Sequence, residues 1–209
     1  MCVQMDGTED LAAVAVRFHA RRTIVEASSG KVRPTDRAPS LVQGTDGRRL
    51  GWMHWGWEHA DPVLPAKRPE LWLHARFETA AVKPTWREAF ARRRCAIITR
   101  GWWEVQPQPG KQRGIPFYYA SGQPLALAAL WRRDGDNGRF VMLTTDPLPH
   151  LAPVHDRMPV VLSDTALTRW LDPLATVADL GTVDRDVGPS IHARRSLALG
   201  DPTLAAADA

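Results

Sequence analysis

The sequence predicts a single α+β domain, built mainly from an antiparallel, barrel-like β-sheet with a few helices at its periphery. The chain has 209 residues and is 44% hydrophobic, which is enough for one sizeable core. Its apolar runs are mostly short and are separated by turn signals, a spacing typical of antiparallel strands. Only two stretches combine helical spacing with cap residues. We expect the domain to span residues 1–199 and the Ala-rich residues 200–209 to form a flexible tail.

The first part of the chain predicts a loop followed by strands. Gly, Pro and Ser cluster in "ASSGKVRPTDRAPS", which is typical of a loop. Short strands separated by turns are expected next, in "LVQG", "RRLGWMHWGW" and "LWLHARF". Alternation along the last of these strands places His74, Arg76 and Glu78 on one polar face. That face either contacts phosphate or forms a salt-bridged surface without a function.

The first helix is predicted within "PTWREAFARRR". Thr85 suits the N-cap, and Glu88 three residues later completes a capping box. Helical spacing turns Trp86 and Phe90 towards the core. The helix leads into "CAIIT", an apolar stretch that suits a buried strand, in which we expect Cys95 to be a small buried hydrophobic residue.

The rest of the chain predicts more strands and one more helix. Strands are expected in "GWWEV", "IPFYYA", "PLALAAL" and "RFVMLTT", with breaks at "QPQPG", "SGQ" and "RDGDNG". The second helix lies within "SDTALTRWLDP", with Ser163 or Asp164 as its N-cap and Pro173 beyond its end. Strands therefore dominate, which favours an antiparallel α+β domain.

The composition favours a nucleic-acid partner. The net charge is +4, the pI is near 9.5, and the chain has nine tryptophans. Much of the positive charge is arginine in small clusters such as residues 92–94. Arginine binds phosphate through two hydrogen bonds and aromatic rings stack on bases, so both suit single-stranded nucleic acid. The alternative is that the tryptophans fill the core and the arginine clusters are solvated surface.

Other classes of protein are disfavoured. No apolar run reaches the ~18 residues of a membrane span, and the first residues carry no basic-then-apolar signal. We therefore expect a cytoplasmic protein without a membrane partner. Two cysteines imply no disulfide framework. Because nothing near His150 and His155 completes a metal motif, we expect neither a metal nor another cofactor.

Cys2 is a candidate nucleophile because of its position directly after Met1. Removal of Met1 would leave a free α-amine beside the thiol, and the ordinary pKa values of these groups are about 7.7–8.0 and about 8.5. Such a 1,2-aminothiol attacks an aldehyde first through nitrogen, giving a Schiff base, and then through sulfur, closing a thiazolidine ring. An interior cysteine cannot close this ring. The alternative is a cysteine without a function on a mobile terminus.

Glu104 and His155 are candidate proton-transfer residues. Glu104 lies in the apolar stretch "GWWEV", where loss of solvation would raise its pKa and suit it to acid–base work. Strand alternation equally allows Glu104 to point to water. His155 lies beside Asp156 and Arg157 in a Pro-bounded loop, and histidine is the usual proton shuttle near neutral pH. A lone histidine is nevertheless more often structural.

Taken together, these stretches resemble the SOS-response-associated peptidase (SRAP) family of abasic site processing proteins. The resemblance covers most of residues 1–175, and its last motif is the most specific. The motifs that carry it are Met1-Cys2, "RPT" at 33–35, "HWGW" at 54–57, "HARFET" at 74–79, "RRRCAIITRGWWEV" at 92–105, "LALAALW" at 125–131 and "LTTDPLPHLAPVHDRMPVVL" at 143–162.

The resemblance implies an abasic-site sensor that binds single-stranded DNA in a positively charged channel. After removal of Met1, Cys2 would capture the ring-opened aldehyde of the lesion as a thiazolidine DNA–protein crosslink. Glu104 would take part in methionine removal and orient the amine, and His155 would shuttle protons. The residues implied in DNA binding are Arg76, Lys31, Arg33, Trp55 and Arg157.

The chain departs from the family's pattern close to the expected site. Val3 and Gln4 follow Cys2, where the family has glycine and arginine. His74 replaces an asparagine that positions the lesion, and we expect this histidine to act at the catalytic centre by donating a hydrogen bond. Two alternatives therefore stay open: a non-covalent single-stranded DNA-binding module that has lost crosslinking, and an N-terminal-nucleophile amidase that uses Cys2. We expect a monomer in each case.

Overall fold

The protein folds into one mixed α+β domain in which strands far outnumber helices. The computed structural model describes residues 4–8, 10–23, 30–59, 70–112, 114–135, 137–183, 191–196 and 198–199. The predicted tail, residues 200–209, lies outside the described residues and stays a prediction. No helix in the described part of the chain is long and apolar enough to cross a membrane.

The described residues form fourteen strands and five helices. The strands are β1 (Gln4–Asp6), β2 (Ala20–Arg22), β3 (Lys31–Val32), β4 (Arg37–Gly44), β5 (Gly47–Trp55), β6 (Trp57–His59), β7 (Glu70–Trp72), β8 (His74–Arg76), β9 (Arg94–Gln106), β10 (Ile115–Asp134), β11 (Asn137–Thr145), β12 (Met158–Pro159), β13 (Val161–Leu162) and β14 (His192–Arg195). The helices are α1 (Leu11–Arg17), α2 (Phe77–Ala80), α3 (Arg87–Arg92), α4 (Asp164–Leu171) and α5 (Val177–Leu180).

The main sheet curls into a barrel-like arrangement, as predicted. Its strand order is β13-β10-β11-β5-β4-β9-β1-β3, and a further pairing of β9 with β10 brings the path back on itself. Most pairings are antiparallel, but β11 runs parallel to both β5 and β8, and β2 runs parallel to β5. The long strand β10 continues through the "SGQ" stretch where we predicted a break, because a shift of register between Ala120 and Leu125 absorbs the turn residues.

Two apolar clusters lie on the two faces of this sheet, because successive side chains of a strand point to opposite faces. Ile97 and Phe140 belong to the cluster inside the sheet's curve. Ala96 and Val141, their chain neighbours, belong to the cluster that packs against the helices. The tryptophans mostly fill these clusters, as the alternative interpretation of the composition proposed; those buried are Trp55, Trp57, Trp86, Trp102, Trp103 and Trp170.

The predicted helices form, but one cap was wrong. Ser163 caps α4 by accepting a hydrogen bond from the Ala166 N–H at 3.0 Å, which confirms the second helix. In contrast, α3 begins at Arg87, after an N-cap that makes no side-chain hydrogen bond, so Thr85 and Glu88 form no capping box. Glu88 instead pairs with the Arg93 guanidinium at the other end of the helix, because that partner satisfies its carboxylate.

Arg94 is a structural residue and not part of a phosphate-binding cluster. Its side chain is buried, and its guanidinium donates to four carbonyl groups at the C-terminal ends of α3 and α4; these belong to Phe90, Ala91, Trp170 and Asp172. Carbonyls at a helix end have no partner within the helix and carry partial negative charge. One buried cation thus holds two helix ends against the start of β9.

Replacement of Arg94 by methionine is expected to lower the free energy of unfolding by about 3 kcal/mol or more. The change leaves several buried carbonyls without a donor, each at a cost of about 1–3 kcal/mol. The matched control is Arg92→Met, because Arg92 is exposed at the end of α3 and surface changes stay within about 0.5 kcal/mol. Urea unfolding followed by tryptophan fluorescence measures both. Equal unfolding midpoints for the two variants would contradict this role of Arg94.

Candidate active site

A pocket of about 410 Å³ opens where β8, the end of β11 and the loop before β12 meet. Its lining brings together four of the residues predicted to carry chemistry or DNA binding. The lining residues are His74, Ala75, Arg76, Thr144, His155, Asp156 and Arg157. The pocket therefore joins a strand and a loop that are separated by about eighty positions in the sequence.

Strand β8 supplies one wall of the pocket. It pairs with β11 in parallel, with Ala75 opposite Leu143, and the Ala75 side chain is buried in the core. His74 and Arg76 therefore point the other way, and Arg76 is exposed. The predicted alternation ends there because α2 begins at Phe77, so Glu78 lies on a helix rather than on the strand.

Arg157 holds the opposite wall in place. Its guanidinium pairs with the carboxylates of Glu78 at 2.8 Å and Asp146 at 2.6 Å, and donates to the Thr144 carbonyl at 2.7 Å. The side chain is only 11% exposed. Because two carboxylates already compensate its charge, Arg157 stabilises the loop and is poorly suited to the direct DNA contact that we predicted for it.

His155 is arranged to accept and release a proton. Its Nδ1 lies 3.1 Å from the backbone nitrogen of Arg157 and 2.8 Å from Oδ1 of Asp156. Burial lowers the pKa of the imidazole, which favours the neutral ring near pH 7. A neutral Nδ1 accepts from the Arg157 N–H, and a protonated Nδ1 donates to Asp156. The ring thus has a partner in both states, which suits a proton shuttle.

Glu104 is buried and does not point to water, which was one of the two orientations that strand alternation allowed. The residue is 1% exposed. Burial raises its pKa to about 7, and the negative charge of Asp156 acts in the same direction. A carboxyl group with such a pKa exchanges a proton readily at neutral pH.

Glu104 lies beside the loop that carries His155. Two residues along β9, the Gln106 side-chain amide donates to the Pro153 carbonyl at 2.7 Å and fastens the strand end to this loop. The charge of Asp156 also acts on Glu104 directly. The carboxyl group and the imidazole therefore belong to neighbouring elements.

Strand β1 runs towards the same end of β9. Gln4 lies opposite Trp103 in the antiparallel register, next to Glu104, and is buried. Cys2 and Val3 lie outside the described residues, so the prediction that Cys2 meets Glu104 stays a prediction. Among the described residues, no group of three or more His, Cys, Asp or Glu side chains could hold a metal ion.

Comparison with known proteins identifies the family. The family model described as "SOS response associated peptidase (SRAP)" matches residues 1–195. The chain belongs to the SRAP family. The match includes β14, which the resemblance noted from the sequence motifs did not reach.

Curated relatives of this SRAP chain carry one shared description. This chain is 30% identical to the abasic site processing protein YedK of Escherichia coli, with 54% of this chain and 55% of that protein aligned. It is 29% identical to the abasic site processing protein YoqW of Bacillus subtilis, with 72% of this chain and 70% of that protein aligned. The chain thus spans about half the length of the E. coli relative that it matches.

Solved structures confirm the fold of the SRAP chain. A protein from Bacteroides thetaiotaomicron superimposes with a TM-score of 0.77 at 19% identity, over 93% of this chain and 91% of that one. A phage-related protein from Bordetella bronchiseptica superimposes with a TM-score of 0.74 at 22% identity, over 94% of this chain and 95% of that one.

The other residues predicted to bind DNA have different surroundings in this SRAP chain. Lys31 and Arg33 are exposed, which is compatible with phosphate binding. Trp55 is fully buried, its Nε1 donates to the Leu73 carbonyl at 3.1 Å, and its ring makes a T-shaped contact with the ring of His74. The prediction that Trp55 contacts DNA was therefore wrong, because its buried ring packs beneath β8 and cannot stack on a base.

Sequence reasoning missed the supporting residues of this SRAP site. Glu78 and Asp146 pair with Arg157, and Asp156 pairs with His155. Strand alternation had drawn attention to Glu78 but not to its partner, and nothing in the spacing of Asp146 marks it. The "HDR" triplet was a usable signal, because it sets Asp156 directly beside the histidine with which it pairs. Cys95 is confirmed as buried and unreactive, since burial raises the pKa of its thiol.

Proposed function

We propose that this protein is an abasic-site sensor that binds single-stranded DNA and forms a thiazolidine crosslink through Cys2 after removal of Met1. The observation that carries this proposal is a carboxyl group with a pKa of about 7, Glu104, placed beside the loop of His155. The shared name of the curated relatives, abasic site processing protein, supports the choice of substrate.

The position of β1 supports the choice of nucleophile. Gln4 lies opposite Trp103, the residue before Glu104, and Cys2 is only two residues before Gln4 in the sequence. A chain extends at most about 3.3–3.6 Å per residue, so two residues span at most about 7 Å. In the proposed mechanism the aminothiol reaches an aldehyde held between Glu104 and the pocket.

The proposed reaction conserves atoms and charge. The amine of Cys2 attacks C1′ of the ring-opened abasic sugar, and the resulting carbinolamine loses water to give a Schiff base. The thiol sulfur then adds to the same carbon, and its proton ends on the nitrogen. Glu104 accepts the proton that the attacking amine releases, and His155 protonates the departing hydroxyl. Aldehyde and aminothiol thus give thiazolidine and one water.

DNA binding is proposed to rely on exposed cations, one in the pocket and two on and beside β3. Arg76 lines the pocket, and Lys31 and Arg33 are exposed near β1. Phosphate contacts need no base and make binding sensitive to salt. The aldehyde of the lesion then supplies the selectivity that these contacts lack. His74 beside Arg76 is proposed to donate a hydrogen bond to the sugar.

The wild-type protein is expected to form a denaturation-resistant adduct with single-stranded DNA that contains an abasic site. No adduct is expected with the same strand carrying an intact base, because that sugar has no free aldehyde. Denaturing gel electrophoresis of both mixtures measures this, and intact-protein mass establishes beforehand that Met1 has been removed. Protein that lacks Met1 and gives no adduct would refute the crosslinking function.

A non-covalent single-stranded DNA-binding module is the second candidate. Gln4 and His74 favour it, because the resemblance implies an arginine and an asparagine at these positions. This function predicts equal, salt-sensitive binding of abasic and intact strands without an adduct. The same two substrates therefore decide between the candidates.

A further inference from the structure

A second polar cluster lies on β1, away from the pocket. The carboxylate of Asp6 is buried, with a side chain only 6% exposed. It accepts from the Tyr118 hydroxyl at 2.7 Å and from Nη2 of Arg100 at 3.0 Å. The Asp6 carbonyl accepts from the Thr99 hydroxyl at 2.6 Å. One residue of β1 is thus bound through both its side chain and its backbone.

Gly101 makes the Tyr118 contact possible. In the sheet register Gly101 lies between Asp6 on β1 and Ala120 on β10. A Cβ at Gly101 would lie 2.7 Å from the ring carbon and the hydroxyl of Tyr118, and 2.3 Å from the Tyr119 carbonyl. Only the absence of a side chain lets the Tyr118 ring cross β9 and reach Asp6.

Strand β1 needs such a contact because it is short. It has three residues, so few backbone hydrogen bonds hold it between β9 and β3. A slip of one residue would turn every side chain of the strand to the opposite face. It would also move the segment before Gln4 by about 3.3 Å along β9. A specific contact at Asp6 excludes the slipped register.

We propose that Asp6, Tyr118 and Arg100 form a register latch that positions the N-terminal aminothiol against Glu104. The three residues do not touch the reacting atoms; they are positioning residues that act through β1. The inference rests on the proposed function, since it assumes that Cys2 is the nucleophile. The latch lies four residues along the chain from Cys2, so it sets the nucleophile's place without entering the pocket.

Replacement of Tyr118 by phenylalanine tests the latch, because it removes the hydroxyl and keeps the ring. At saturating abasic single-stranded DNA, the rate of adduct formation is expected to fall about tenfold or more, since small misplacements of a reacting group slow reactions strongly. The dissociation constant for an intact strand is expected to stay unchanged. The reaction of the N-terminal aminothiol with glyoxylate, a small aldehyde that needs no positioning, is also expected to stay unchanged. The matched control is Ser121→Ala, which removes a hydroxyl of the same strand that donates to the Gln123 carbonyl and not to Asp6.

The outcomes separate the latch from the proposed function. If wild-type protein without Met1 forms no adduct, the proposed function fails and the latch with it. If wild type forms the adduct and Tyr118→Phe forms it at the same rate, the latch alone is overturned. A loss of DNA affinity or of the glyoxylate reaction in step with the rate would also overturn it, because both indicate general structural damage. Asp6→Asn, a second variant, must show the same pattern: slower adduct formation with unchanged DNA affinity and an unchanged reaction with glyoxylate.

Discussion

Replacing Cys2 by alanine is expected to abolish the denaturation-resistant adduct with abasic single-stranded DNA. The alanine variant keeps an α-amine and can form a Schiff base, but it lacks the sulfur that closes the thiazolidine ring. A Schiff base hydrolyses when the protein is denatured, so no stable adduct survives. Denaturing gel electrophoresis after removal of Met1 measures the loss, and reduction with borohydride before denaturation is expected to trap the Schiff base.

The matched control for this experiment is Cys95→Ala. Cys95 is fully buried on β9 and burial raises the pKa of its thiol, so it cannot attack DNA. The adduct is therefore expected to form normally in this variant. Non-covalent binding to an intact strand is expected to be the same for wild type and Cys2→Ala. Adduct formation by Cys2→Ala at the wild-type level would remove Cys2 from the mechanism.

Replacing Glu104 by glutamine is expected to slow adduct formation by about 10²-fold or more, the usual contribution of a positioned acid or base. Glutamine keeps the shape of the side chain but cannot accept a proton. The wild-type rate is expected to change with pH around 7, where Glu104 ionises. The glutamine variant is expected to lose this dependence. The control is Glu70→Gln, which changes an exposed carboxylate on β7.

The same substitution is expected to change how stability depends on pH. Burial raises the pKa of Glu104 from 4.5 in an exposed carboxyl group to about 7. When folding raises the pKa of a carboxyl group, the resulting stabilisation is fully present at pH values below the pKa of the unfolded state. It is lost as the pH rises through the pKa of the folded state. The wild type is therefore expected to lose about 3 kcal/mol, relative to Glu104→Gln, between pH 4.5 and pH 8.

Urea unfolding at a series of pH values measures this difference. Glutamine does not ionise, so the free energy of unfolding of Glu104→Gln should vary less over the same pH range. Parallel stability curves for the two proteins would show that the Glu104 carboxyl group has an ordinary pKa in the folded state. The kinetic and thermodynamic results test the same ionisation by independent routes.

The sequence predicted much of the local structure correctly. Phe90 on α3 and Trp86 at its N-cap both face the core, because they are four residues apart and so lie on the same side of the helix. Ser163 caps α4 because a hydroxyl at this place satisfies a free N–H. Both features depend on residues a few positions apart. The capping box at Thr85 failed because Glu88 found a better partner in Arg93.

Functional residues were predictable only when the motif carried their identity. The "HDRMPV" motif pointed to His155, and the pocket indeed includes it. Trp55 and Arg157 belong to equally recognisable motifs, yet one is buried in the core and the other is paired with two carboxylates. A motif states which residue is present, whereas exposure and pairing depend on neighbours from other strands.

By itself, the sequence determined the family, the predominance of strands and the identity of an aminothiol, a carboxyl group and an imidazole as candidate reactive groups. Only the tertiary structure decided that Glu104 is buried with a pKa near 7, that β9 is fastened to the His155 loop, and that Asp6 meets Tyr118 across Gly101. The physical reason is the separation along the sequence over which each effect acts. Strand and helix propensities act over a few residues, whereas desolvation and hydrogen bonding depend on groups that the fold brings together from distant parts of the chain.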